Sequence, residues 1–194
     1  QDSDRYLVED DYDREFKYSG KPIPALQGLD HNEKVIYMGA FSKSLSPALR
    51  ASYMVLPNHL VRRFKERLPF MTCPVPIIEQ KVLSRFMQDG YFERHLNKMR
   101  NVYKRKRELL VREIKALQVP MEIFGADTGL HLLLQVQNGM TEESLEARAL
   151  EHGVKVYGIS RYYSDKSRMG TVPQIVIGFA ALTETEISAA VQAL

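Results

Sequence analysis

The sequence is poor in the residues that carry extracellular and metal chemistry. It holds one cysteine, Cys73, among 194 residues. A lone thiol excludes an intramolecular disulfide framework, and the simpler expectation is a reducing, cytoplasmic compartment. The five histidines are scattered, none with metal or triad spacing. No apolar stretch approaches transmembrane length, and no signal-peptide pattern opens the chain. The net charge of +3 is too small to argue nucleic-acid binding by itself. What remains is ordinary: 44% hydrophobic and 26% charged residues suit a globular protein with one good core or a little more.

What is there centres on Lys43. It lies between Ser42 and Ser44, after the apolar run Val35-Ile36-Tyr37-Met38, with Arg50 downstream. Burying an ammonium is costly, so a lysine in such a tight, small-residue turn is expected to be paired, depressed in pKa or covalently used. Such a lysine can form a Schiff base with a carbonyl compound. Ser42 and Ser44 are short hydroxyl donors, and Arg50 is a bidentate oxyanion binder, so together with backbone amides they form a candidate phosphate cradle. The competing reading is a surface lysine at a strand-to-loop junction.

The second feature is Glu9-Asp10-Asp11-Tyr12-Asp13. In extended chain, residues two apart face the same way, so Asp10 and Tyr12 would share a face. A carboxylate there could hold a pyridine nitrogen protonated while the phenol bonds a ring oxygen. The alternatives are a solvated acidic loop or a divalent-metal site, the latter weaker because no histidine or second acidic cluster lies nearby in sequence. Arg161 follows a strand-like run and could fork onto a carboxylate; alone it reads as a surface arginine. His131 reads as a core histidine. Lys104-Arg105-Lys106-Arg107 reads as the solvated face of a long amphipathic helix.

Along the chain, Arg5–Val8 is expected as a buried strand. Lys34–Gly39 and Ser52–Leu56 are expected as strands covered on both faces. The stretch Glu15–Asn32, between the first and second of these strands, is polar and turn-rich. Asn58 is expected to N-cap a helix to Arg67. Helices follow over Ile77–Gln88 and Tyr91–Leu117, with Gly90 closing the first. Strands are expected at Met121–Phe124, Leu130–Val136, Val154–Ile159 and Gln174–Phe179. A helix opens at Thr141, and Thr183 with Glu186 has capping-box spacing. The last ~75 residues form an α+β unit.

Several segments together resemble one family. They are Glu9–Phe16, Ile23-Pro24-Ala25-Leu26-Gln27, Val35–Leu45, Tyr53–Pro57, Gly158–Arg161 and Ile177–Ala180. Over nearly the whole chain the sequence resembles the fold-type-I aminotransferase-like domain of the MocR/GabR regulators, bacterial transcription factors of the GntR superfamily. The resemblance implies an α/β fold in part: residues 1–74 as the C-terminal part of a large domain that binds pyridoxal 5′-phosphate (PLP), 75–119 as connecting long helices, and 120–194 as the small α+β domain. It implies that Lys43 holds PLP, Asp10 pairs with the ring nitrogen, Tyr12 with the ring hydroxyl, and Ser42 and Arg50 with the phosphate. Arg161 would bind the carboxylate of an amino-acid-like effector that forms an external aldimine with PLP. DNA would be bound through an upstream winged-helix domain, by a homodimer away from any membrane, with little or no turnover.

Two departures stand out. Ala40 occupies a position where many relatives carry a hydroxyl, and Ile175–Ala180 lacks the carboxylate-binding arginine usual in true aminotransferases. The second favours a sensor. The rival expectation is a class I/II aminotransferase of 2-aminoadipate or aromatic type, with Lys43 as general acid–base. Gln1 is not an initiator and a strand begins almost at once, so the chain is expected to be the C-terminal part of a longer protein. By itself it is expected to hold PLP weakly or not at all, and to expose apolar sheet surface around Val35–Met38 and Tyr53–Leu56 unless a partner covers it.

Overall fold

The described residues form seven strands in two sheets. The computed structural model describes residues 5–11, 14–21, 24–165, 170 and 172–194. The chain divides into two compact units: residues 1–15 with 20–98, and residues 16–19 with 99–194.

The first unit holds β1 (Leu7–Asp10), β2 (Val35–Ala40) and β3 (Ser52–Val55), in the order β1-β2-β3. β1 runs parallel to β2, with Asp10 opposite Met38. β3 runs antiparallel, with Ser52 opposite Ala40. Short helices α1 (Leu26–Leu29) and α2 (Phe41–Ser44) lie in the connections. Helices α3 (Asn58–Arg67) and α4 (Ile77–Gln88) follow. Of the strands expected to be buried, β2 is half-buried and β1 and β3 are largely exposed: Val8 is 59% and Met54 53% exposed. Three strands supply too little apolar area to cover their own faces. Asn58 is not the N-cap of α3. Pro57 holds that place, and the Asn58 amide donates to Glu33 instead (2.9 Å).

α5 (Tyr91–Ala116) runs from the first unit into the second. The second unit is built on β4 (Met121–Phe124), β5 (His131–Val136), β6 (Tyr157–Gly158) and β7 (Gln174–Gly178), an antiparallel sheet in the order β4-β5-β7-β6. Alternation along β5 buries Leu132, Leu134 and Val136 and turns His131 outward, so His131 is not a core residue. These side chains meet Leu110 and Ile114 of α5, Ile175 and Ile177 of β7, and Ile187 and Val191 of α7 (Glu184–Gln192). Thr141 caps α6 (Glu142–Glu151) and the Thr183–Glu186 capping box opens α7. Each such cap contributes about 1 kcal/mol.

The turn-rich stretch hides a core anchor. Phe16 is 1% exposed and meets Tyr103 edge-on at 5.0 Å between centroids. Its carbonyl accepts from Gly129 N–H, and the Tyr18 hydroxyl donates to the Gly129 carbonyl (2.8 Å). The connection between β4 and β5 needs left-handed backbone at Gly125 and Gly129 (φ 72° and 76°), which glycine adopts without steric cost. The strand expected over Val154–Ile159 shortens to Tyr157–Gly158, because Ile159–Tyr162 coils into a 3₁₀ turn.

Glu142 fixes that turn. Its carboxylate is buried and accepts from the backbone N–H of Ser160 (3.0 Å) and Gln174 (3.3 Å). A side chain at Gly158 would collide with it. Glu142→Ala leaves both amides without their acceptor, and about 2–4 kcal/mol of stability should be lost. Urea unfolding of the variant checks this; a loss under ~0.5 kcal/mol would mean that water replaces the carboxylate.

Asp30 plays a similar part in the first unit. It accepts from the N–H groups of Val35 (2.7 Å), Asn32 (2.8 Å) and Lys34 (2.6 Å). These bonds, that from Val35 foremost, hold its carboxyl below the ordinary range. A depressed folded pKa contributes stability that is present above the unfolded value of about 4 and is lost as pH falls through the folded value. Asp30→Asn should therefore flatten the acid limb of the stability–pH curve. An unchanged slope below pH ~4 would rule out that role.

Candidate functional site

Parallel pairing of β1 and β2 brings their carboxyl ends to one edge of the sheet, the edge at which open α/β sheets place ligands. Asp10 is the last residue of β1, and Ser42 and Lys43 lie in α2, directly after β2. β3 returns antiparallel, so its start lies at the same edge. Arg50 sits just before it. A bond from Phe41 N–H to the Ala51 carbonyl (3.0 Å) closes the loop between them. Four of the six candidate residues thus converge at one edge. Tyr12 lies outside the described residues.

The acidic run sorts itself by partner. The two oxygens of Glu9 accept from Leu26 and Gln27 N–H (2.8 and 2.9 Å), at the start of α1. Asp11 accepts from the Tyr37 hydroxyl (2.9 Å) and from Arg14 (3.1 Å). Burial, and then the bond to Asp11, push the Tyr37 phenol well up. Glu9 and Asp11 are spent on the fold. Asp10 between them is exposed and has no hydrogen-bond or ion-pair partner among the described residues. No cluster of metal-ligating side chains occurs among the described residues.

Lys43 is exposed rather than buried. It stands in a helical turn, with Ser42 half-buried and Ser44 fully buried. The Ser44 hydroxyl is enclosed without a partner among the described residues, so it does not stand beside Ser42 as an open donor. Arg50 adopts left-handed backbone (φ 49°, ψ 24°), a strain of about 1 kcal/mol for a residue with a side chain. Like Lys43 it is exposed and has no ionic partner among the described residues. Two cations and a carboxylate at one edge, each without a side-chain partner among the described residues, make a set of groups open to an anionic ligand.

Arg161 belongs to the second unit and is described within it. It lies in the 3₁₀ turn Ile159–Tyr162, its guanidinium 5.2 Å from the Tyr157 ring centroid and ion-paired with Glu146. The other Glu146 oxygen accepts from Gly158 N–H. The arginine is therefore held, not loose, on one wall of a cleft of about 380 Å³ that also includes Glu143, Leu150, Lys155 and Tyr157. The sequence reading missed the holding carboxylates. Glu142 and Glu146 are four apart on α6 and so share a face, but that spacing alone does not name their target.

Residues 6–194 match the family described as aminotransferase class I and II, and the chain belongs to that family. It is 39% identical over 194 residues to an HTH-type transcriptional regulator of Bacillus subtilis (strain 168), the uncharacterized YhdI, covering 100% of this chain and 41% of that protein. It is 34% identical over 182 residues to the probable rhizopine catabolism regulatory protein MocR of Rhizobium meliloti, covering 92% of this chain and 36% of that protein. The chain thus spans about two fifths of the length of these curated relatives. The kynurenine aminotransferase of Pyrococcus horikoshii, solved in complex with PMP, superposes with a TM-score of 0.84 at 24% identity, covering 97% of this chain and 46% of that one. At that identity the likeness shows the fold, part of the fold-type-I aminotransferase architecture.

Proposed function

We propose that this chain is the effector-sensing, PLP-binding part of a bacterial DNA-binding transcriptional regulator. The observation that carries this reading is the edge where Asp10, Ser42, Lys43 and Arg50 converge without side-chain partners among the described residues, in a chain similar to HTH-type regulators. The donor set fits PLP: an amine for the aldehyde, a hydroxyl and a guanidinium for the phosphate, and a carboxylate for the ring nitrogen. When bound, the cofactor supplies a carbonyl carbon and an electron-accepting ring. Lys43 offers the amine, and Asp10 holds a proton at the ring nitrogen. Ser42 and Arg50 donate to phosphate oxygens, and the Tyr12 phenol donates to the ring oxygen.

Arg161 reads the effector. A guanidinium has five donors, so Arg161 can keep Glu146 and still fork onto a second carboxylate. An amino acid that binds one conformation of the domain better than another shifts the balance between them, and the shift reaches DNA through a winged-helix domain encoded upstream. The working form is a homodimer in the cytoplasm.

In the full-length regulator, Lys43→Ala should abolish the borohydride-trapped PLP adduct. Asp10→Asn should weaken PLP retention and shift its absorbance, while Asp11→Asn should act on stability instead. Trapping on another lysine, or equal effects of the two aspartate variants, would overturn the site. Sustained amino-group transfer to a 2-oxo acid would assign the chain to the enzyme reading.

Arg161→Lys keeps the charge but loses the fork. It should weaken the effector response, read as the amino-acid-induced change in PLP absorbance, by about tenfold, with PLP affinity unchanged. Equal losses of both would make Arg161 structural.

A further inference from the structure

The basic run on α5 is not uniform. Lys104 pairs with Glu108, Arg105 with Glu184, and Lys106 donates to the Ala180 carbonyl (2.9 Å). Arg107 alone of the four has no hydrogen-bond or ion-pair partner among the described residues, although it is half-buried and its Nε is enclosed. Its guanidinium lies 5.5 Å from the Tyr18 ring centroid, which steadies the cation but accepts none of its in-plane donors. An enclosed donor without an acceptor is costly, and the other guanidinium nitrogens, neither enclosed nor bonded among the described residues, are left to meet an anion.

Arg107 borders a cavity of about 380 Å³, within the range of small-molecule sites. Val111, Ile114 and Lys115 follow it at helical spacing on one face of α5. Met121 and Ile123, alternate residues of β4, form the opposing wall, with Val119 at the rim. Lys115 is exposed, two turns or roughly 12 Å along the helix from Arg107. Among the described residues, no acidic side chain lines the cavity.

We propose that this cleft binds a small amphiphilic anion, a monocarboxylate with an aryl or alkyl body. Arg107 forks onto the carboxylate, Val111, Met121 and Ile123 take the apolar body, and Lys115 adds positive potential at the far end. All these residues lie in the second unit, and none lines the cleft of Arg161. The site stands whether or not the PLP reading holds.

The probe is 4-phenylbutyrate, titrated into this chain by calorimetry and by amide chemical-shift mapping. Saturable one-to-one binding is expected, with shifts gathered at Val111, Val119, Met121 and Ile123. Arg107→Gln should weaken it about tenfold, as should the neutral analogue 4-phenylbutanol in place of the acid. Val119→Glu adds a competing carboxylate at an exposed rim position, disturbs no packed side chain, and should also weaken binding about tenfold. The proposal is wrong if no saturable binding occurs, if the alcohol binds as tightly as the acid, or if the shifts gather around Arg161. It is equally wrong if folded Arg107→Gln, or Val119→Glu where the first does not fold, binds like the parent.

Discussion

The parallel register of β1 on β2 is the constraint on which the candidate site depends. Two parallel strands end at the same edge, so the last residue of one and the loop after the other face a common space. The antiparallel return of β3 then brings Arg50 to that edge. A slip by one residue would exchange the faces of Glu9, Asp10 and Asp11. The bonds of Glu9 to the start of α1, and of Asp11 to Tyr37 and Arg14, hold the register, so the two spent carboxylates place the free one.

The two units differ in how they are stabilised. The second has a core of its own, in which α5, α6 and α7 meet a four-stranded sheet and fully buried Leu, Ile, Val and Phe side chains interlock. In the first, the described apolar side chains are half-buried or exposed apart from Ala51 and Pro57. Leu7, Val8 and Tyr53–Val55 are exposed on the strands, and Ile77, Ile78 and Val82 on α4. Val35–Met38, expected among the exposed surface, are only half-buried. Apolar area on this scale marks a surface made to be covered, and a three-stranded sheet cannot cover it alone.

Two carboxylates of α6, buried Glu142 and half-buried Glu146, organise the segment of the second unit that carries Arg161. Glu142 takes two backbone amides, and Glu146 takes a third together with the Arg161 guanidinium. An arginine held in this way presents its remaining donors in a fixed plane, which suits recognition of a planar carboxylate. Gly158 follows from the same arrangement, since a side chain there would occupy the space of the Glu142 carboxylate.

The sequence by itself determined much of the local structure. Apolar periodicity and capping residues are short-range signals, and they gave α4, β4 and the Thr183 cap as the structure has them. The Lys43 motif and the acidic run were legible too, because residue type and spacing carry their chemistry. Only the tertiary structure decided which acid stays free, since Glu9 and Asp11 find their partners on α1 and β2, 15 or more residues away. It turned His131 outward through strand register, buried Phe16 within a polar stretch, and paired Arg161 with Glu146. It also singled out Arg107 from three similar neighbours. Each of these depends on contacts between residues distant in sequence, and no local pattern encodes which distant group will be near.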